Sequence, residues 1–101
     1  MSVEEINEQD ALEEIIAGND TVVVDFSAPA WCVPCMRFAP HFEKAAEKSD
    51  AKFVAVDVDK AEFAMVEYGV QGVPTVMLFK NGQYVKHLKE RNVVKLLNEM
   101  E

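Results

Sequence analysis

Apolar residues recur along the chain with two spacings, one typical of strands and one typical of helices. Five short runs predict strands, and the second run is nearly continuous Val and Phe, which is typical of a strand buried on both faces. The predicted strands are residues 3–7, 21–27, 52–59, 75–80 and 83–89. Because Asn81-Gly82 lies between the last two runs, we expect a tight hairpin that joins them antiparallel.

Four other segments carry apolar residues at helical spacing. They cover residues 8–17, a stretch from Cys32 or Pro34 to about residue 49, residues 61–68 and residues 93–100. Gly69 should end the third helix and Asn92 should cap the last one, whereas Pro40 should kink the second by removing an N–H. The order of elements predicts an α/β fold, in which a mixed sheet has helices on both faces.

The length of 101 residues, half of them apolar, predicts a single domain over residues 1–101. The first residues carry neither a basic segment nor an apolar one, so we expect no secretory signal. No apolar run approaches the roughly 20 residues of a membrane span. We therefore expect a cytoplasmic monomer without membrane contacts, in a reducing compartment.

The net charge of −8 is unevenly distributed. Residues 1–20 carry seven acids and no bases, whereas residues 80–101 carry five bases and three acids. Binding to a nucleic acid backbone requires clustered Lys and Arg, so nucleic acid is not an expected partner. An acidic face that aids solubility explains the charge, and electrostatic choice among protein partners is the alternative.

The two cysteines of the chain lie in Trp31-Cys32-Val33-Pro34-Cys35, directly after the second predicted strand. A gap of two residues at the first turn of a helix lets the two sulfurs meet. The helix N-terminus stabilises a thiolate, because it presents unpaired N–H groups and partial positive charge. This pattern suits a reversible disulfide in which Cys32 is the exposed attacking sulfur and Cys35 lies behind it.

Other uses of a CxxC pair fit this sequence less well. A structural zinc site usually needs four Cys or His ligands, and the two histidines, His41 and His87, are far apart in sequence. An iron–sulfur cluster usually needs four thiolates. A purely structural disulfide across so short a loop would constrain the unfolded chain very little.

Six segments together resemble the thioredoxin family, and the resemblance covers nearly the whole chain. The matching segments are Val22-Val23-Val24-Asp25-Phe26-Ser27, Trp31-Cys32-Val33-Pro34-Cys35, residues 53–59, Tyr68-Gly69-Val70, Gly72-Val73-Pro74-Thr75 and Phe79-Lys80-Asn81-Gly82. The resemblance implies a thioredoxin fold, a central mixed sheet of about five strands in the order 1-3-2-4-5 flanked by four helices. It also implies a dithiol–disulfide oxidoreductase that reduces partner proteins and binds no cofactor beyond its redox-active Cys32–Cys35 disulfide.

The resemblance assigns roles to the catalytic residues. Cys32 is the nucleophile that attacks a disulfide of a target protein, and Cys35 then attacks Cys32 to release the reduced target. Asp25 lies in an apolar strand, where burial of its charge is costly and should raise its pKa. The family assigns the matching aspartate a proton relay to the second cysteine, whereas an exposed acid at a strand end is the alternative.

The substrate site implied by the resemblance faces this disulfide. It includes a cis Val73-Pro74 bond, although only about 5–6% of X–Pro bonds in folded proteins are cis. Val73 would offer its backbone to an extended peptide. The expected substrate-binding residues are Trp31, Val33, Pro34, Gly72, Val73 and Pro74. The expected partners are disulfide-containing target proteins and a thioredoxin reductase, flavin/NADPH or ferredoxin-linked, as electron donor.

Some positions depart from the family pattern. Val33 replaces a glycine and stiffens the turn between the cysteines, and Met36 replaces a frequent lysine. One extra residue lies between Asp25 and Cys32, so we expect a bulge before the helix. Ala55 stands where a charged residue often neighbours the buried aspartate. At the substrate-docking edge, Glu90 takes the place of a glycine and the last helix is about a turn shorter.

Three other functions remain open from the sequence. Val33 and Met36 would favour a disulfide oxidant or isomerase if they raise the reduction potential. A glutathione-dependent glutaredoxin fits less well, because the active-site motif of that class resembles Cys-Pro-aromatic-Cys, whereas this chain has Val33-Pro34 between its cysteines. A non-catalytic thioredoxin-like subunit could use the same apolar rim to bind a larger enzyme, although it would not need both cysteines together with Asp25 and Pro74.

Overall fold

The computed structural model describes residues 3–101, which form five strands and four helices. The strands are β1 Val3–Glu5, β2 Thr21–Ser27, β3 Lys52–Asp57, β4 Thr75–Lys80 and β5 Gln83–Leu88. The helices are α1 Gln9–Gly18, α2 Val33–Glu47, α3 Phe63–Tyr68 and α4 Val93–Glu99. Within the described range, no helix is both long enough and apolar enough to cross a membrane.

The sheet has the order β1-β3-β2-β4-β5, which confirms the predicted thioredoxin fold. β1, β3 and β2 run parallel, whereas β4 is antiparallel to both β2 and β5. Asn81 and Gly82 make the predicted hairpin turn with φ values of 54° and 82°. Positive φ values at both central residues match the right-handed twist of the paired strands.

Alternation along β2 divides the core between the two faces of the sheet. Val22, Val24 and Phe26 pack into one apolar cluster with residues of α1 and α3. Val23 packs into the other cluster with residues of α2 and α4. Since side chains two residues apart share a face of a strand, Asp25 lies on the α2 side. The central strand is thus covered on both sides, as its apolar sequence predicted.

Several predicted element ends differ from the structure because side chains and turns take over backbone hydrogen bonds. β3 ends at Asp57 rather than at residue 59, since the Asp57 carboxylate accepts the N–H of Asp59 and the Asp57 carbonyl accepts the N–H of Lys60. β1 ends at Glu5 rather than at residue 7, and the side chain of Asn7 accepts the N–H of Asp57. α2 continues through Pro40 to Glu47.

Asn92 caps α4, as predicted: its side-chain oxygen accepts the N–H groups of Val94 at 3.0 Å and Lys95 at 3.3 Å. The Asn92→Ala variant should lose about 1 kcal/mol of unfolding free energy, because the first turn of α4 loses a partner for its N–H groups. Urea unfolding measures this loss. The matched control, Asn98→Ala, removes an exposed amide from the same helix and should change stability by much less.

Candidate active site

The turn that follows β2 positions the two cysteines at the start of α2. The carbonyl of Ala28 accepts the N–H groups of both Trp31, at 3.2 Å, and Cys32, at 2.9 Å. Ala28 is fully buried, so this carbonyl is a fixed anchor for the turn.

Cys32 and Cys35 form a disulfide, with their Cα atoms 5.2 Å apart. Cys32 is the N-cap of α2, and its sulfur accepts the N–H of Cys35 at 3.1 Å. Such a contact at a helix N-terminus stabilises negative charge on the first sulfur. The expectation that Cys32 is exposed is wrong for this oxidised state. Only 4% of Cys32 and 2% of Cys35 is accessible, because Ala28, Val58 and Val73 pack around them.

The loop before β4 faces this disulfide. Its Val73-Pro74 peptide bond is cis, as the resemblance implied. The carbonyl oxygen of Val73 lies 3.8 Å from the sulfur of Cys32. The backbone of Val73 is therefore next to the atom at which exchange would begin.

Apolar side chains form an exposed rim beside the disulfide. Trp31 is 60% exposed, Val33 50% and Met36 47%. The indole N–H of Trp31 donates to the Asp59 carboxylate at 2.9 Å, which orients the ring. Trp31, Gly72 and Val73 share a cavity of about 510 Å³. Pro34 and Pro74 line a different cavity, so five of the six predicted substrate-binding residues line two cavities, and Val33 lies exposed outside both.

Asp25 is buried, so the alternative of an exposed strand-end acid is wrong. Only 4% of the residue is accessible, and its Oδ1 atom has no hydrogen-bond partner among residues 3–101. Burial raises the pKa of Asp25 from 3.8 to about 7, while the positive charge of Arg91 lowers it. The residue opposite Asp25 on β3 is Ala55, which carries no charge. As predicted, burial is the main perturbation.

A small cavity of about 140 Å³ reaches Asp25. Ser27 and Asp57 line it from the sheet, and Ala39 lines it from α2. Ala39 follows Cys35 by four residues, so both side chains lie on the same face of the helix. The cavity therefore reaches from Asp25 to the helix face that carries Cys35, although Cys35 itself does not line it, and it is large enough for water.

Arg91 and Asp59 belong to the surroundings of the site although the sequence analysis gave neither a role there. Arg91 donates from Nη2 to the carbonyl of Pro74 at 3.4 Å and from Nη1 to that of Leu88 at 2.8 Å. Its guanidinium carbon lies 5.0 Å from the centre of the Phe38 ring. The contacts of Arg91 with Pro74 and Phe38 join distant parts of the chain, for which the local sequence carries no signal.

A structural zinc ion would need further ligand side chains beside the cysteine pair. Among residues 3–101, no group of three or more His, Cys, Asp or Glu side chains is arranged to hold a metal ion.

Comparisons with known proteins agree with this geometry. The sequence model of the Thioredoxin family matches residues 2–101. A thioredoxin of Mycoplasma genitalium is 44% identical over 81 residues, which cover 79% of this chain and 78% of that protein. Thioredoxin-1 of Schizosaccharomyces pombe is 37% identical over 95 residues, covering 93% and 91%. The structure of reduced Schistosoma mansoni thioredoxin superposes with a TM-score of 0.86 at 36% identity, covering 99% of this chain and 96% of that one.

Proposed function

The chain belongs to the thioredoxin family of protein-disulfide oxidoreductases, which reduce disulfides by dithiol–disulfide exchange, and on that premise we propose which residues carry the reaction. Cys32 is the nucleophile, Cys35 the resolving thiol and Asp25 the group that exchanges protons with Cys35. The observation that carries this proposal is the Cys32–Cys35 pair at the N-terminus of α2, facing the cis Val73-Pro74 bond.

In the first step, the thiolate of reduced Cys32 attacks one sulfur of the partner's disulfide. A bond forms between Cys32 and that sulfur while the partner's disulfide bond breaks, and its other sulfur leaves as a thiolate that takes up a proton. The N–H of Cys35 and the helix N-terminus favour the thiolate of Cys32.

In the second step, the Cys35 thiol loses its proton and attacks the Cys32 sulfur of the mixed disulfide. The Cys32–Cys35 bond forms while the bond between Cys32 and the partner's sulfur breaks, and that sulfur leaves as a thiolate that takes up a proton, so the partner leaves reduced. Asp25 accepts the proton of Cys35 through water in the small cavity. A carboxyl with a pKa of about 7 suits this transfer, since both its protonation states are populated at neutral pH.

The partner docks as an extended segment against the loop before β4 and the apolar rim. Val73 offers its backbone groups, while Trp31, Val33, Pro34, Gly72 and Pro74 provide the contact surface. The half-exposed Trp31 and Val33 support this, because large exposed apolar side chains commonly mark a binding surface. Docking brings the partner's disulfide to the edge of Cys32, which is otherwise covered.

The wider setting follows from the same chemistry. Thioredoxins act on disulfide-containing proteins and are reduced by thioredoxin reductase; we propose a flavin/NADPH or ferredoxin-linked reductase as the donor here. We also propose that residues 1–101 act as one monomeric domain in the cytoplasm. That compartment keeps thiols reduced, which maintains the dithiol state required for the first step.

The Cys35→Ser variant tests the assigned order of the two cysteines. It should reduce no substrate catalytically and should accumulate a mixed disulfide with insulin, because Cys32 can attack but nothing resolves the product. Non-reducing gel electrophoresis and mass spectrometry detect this species. The matched variant, Cys32→Ser, should trap nothing. A mixed disulfide through Cys35 in the Cys32→Ser protein would reverse the two roles.

A further inference from the structure

A cavity of about 290 Å³ lies on the side of the active site away from Trp31. Pro34 of the active-site helix and the cis residue Pro74 line it. Its other lining residues are Arg37, Phe38, His41 and Arg91. The cavity therefore borders both the turn between the cysteines and the loop that receives the substrate.

Two guanidinium groups line this cavity in a chain whose net charge is −8. Arg37 is exposed on α2, and within residues 3–101 it makes no hydrogen bond or ion pair. Its charge is thus available to a bound molecule. The guanidinium of Arg37 loses little free energy on dehydration when a carboxylate takes the place of the water, because the two groups form charge-assisted hydrogen bonds.

Arg91 is held in place by hydrogen bonds to backbone carbonyls, and its charge also interacts with the carboxyl groups of Asp25 and Glu99. It donates three hydrogen bonds to the carbonyls of Leu88, Glu90 and Pro74, which leave at least two of its five N–H donors without a partner. The nearby carboxylate of Glu99 accepts the backbone N–H groups of Lys89 and Glu90. Because the guanidinium is already fixed, it loses less side-chain entropy when it binds a ligand.

The opposite side of the active site has the reverse charge. Asp59 and Glu62 line the cavity next to Trp31. An extended segment that crosses the disulfide would meet arginine on one side and carboxylates on the other. A bound segment is therefore favoured when it carries a negative charge on the arginine side of its cysteine and no negative charge on the carboxylate side.

We propose that Arg37 and Arg91 form a subsite that binds an acidic side chain next to the target cysteine of a substrate protein. The inference rests on the proposed function, since it assigns substrate preference to the same site. The two arginines act before the chemical step, by orienting the partner's disulfide toward Cys32. Charge pairs at an exposed interface mainly affect association and specificity.

The test uses two peptides, each with one internal disulfide, identical except that two Glu residues beside one cysteine are replaced by Gln in the second. Pre-reduced protein is mixed with each peptide, and the fluorescence of Trp31, the only tryptophan of the chain, follows its oxidation. The second-order rate constant should be about five-fold higher for the Glu peptide at low ionic strength. It should approach that of the Gln peptide in about 0.5 M salt.

Arg37→Gln and Arg91→Gln should each lower this preference, and the double variant should lose it. Lys44→Gln is the matched control, because it removes one exposed positive charge from α2 outside the cavity. It should keep the wild-type preference. The Gln peptide reports the reductase reaction itself, so any general damage to a variant cancels in the ratio of the two rates.

Equal rates for the two peptides with the wild-type protein would overturn the subsite while leaving the reductase function intact. A preference that survives in the double variant would overturn it as well. If the wild-type protein reacts with neither peptide, the proposed function fails, and this inference fails with it.

Discussion

Replacing Cys32 with serine should lower the rate of insulin reduction by at least about 10³-fold, the order of loss expected when the nucleophile of an enzyme is removed. A serine hydroxyl cannot form the mixed disulfide, and no cysteine remains at the position that faces Val73. The assay measures insulin precipitation with dithiothreitol as electron donor. The background rate of dithiothreitol alone is subtracted.

The fold of the variant is checked separately, by circular dichroism and urea unfolding under reducing conditions. Lys44→Gln is a suitable control, since it changes an exposed residue of the same helix that lies outside the rim and outside both active-site cavities. It should retain most of the activity. Substantial insulin reduction by a folded Cys32→Ser protein would show that the exchange does not start at Cys32.

Replacing Asp25 with asparagine should stabilise the protein above neutral pH. Burial raises the pKa of Asp25 in the folded protein from 3.8 to about 7, so the folded state holds this proton more tightly than the unfolded state does. The contribution of Asp25 to stability is full below pH 4 and is lost as the pH rises through about 7. At about 1.36 kcal/mol for each pH unit, the loss amounts to as much as about 4 kcal/mol at pH 8.

Urea unfolding of the oxidised protein between pH 4 and pH 8.5 measures this difference. The wild-type unfolding free energy should fall relative to that of Asp25→Asn across the interval, and the variant should be the more stable protein at pH 8. Asp50→Asn, which changes an exposed acid, should give a curve parallel to the wild type. If the unfolding free energies of Asp25→Asn and the wild type changed in parallel with pH, ionisation of Asp25 would cost the folded protein no free energy.

Much of the framework could be predicted from local sequence. Short apolar runs and helical spacings located all five strands and four helices, and β2 and β4 have the predicted bounds. Asn81-Gly82 and Asn92 were recognised because turns and helix caps depend on the chemistry of one or two residues. The order of the strands could not be predicted from local sequence, because no spacing specifies it; it followed from the resemblance to the family.

The features that were missed depend on contacts between distant parts of the chain. Spacing alone placed Cys32 at an exposed helix start, but Val58 and Val73 come from two other loops to cover it. Arg91 is more than 50 residues from Phe38 and Cys35 in the sequence, although it packs on the Phe38 ring. Its effect on the pKa of Asp25 could be found only once the chain was folded.

The covering of the active disulfide has a consequence for how electrons move in a cell. Only 4% of the surface of Cys32 is accessible to small thiols such as glutathione, whereas a protein that fits the surrounding surface can bring its own sulfur to this edge. Exchange rates depend on access as well as on driving force. Exchange of this disulfide with small thiols should therefore be slow compared with exchange with proteins that fit the surrounding surface.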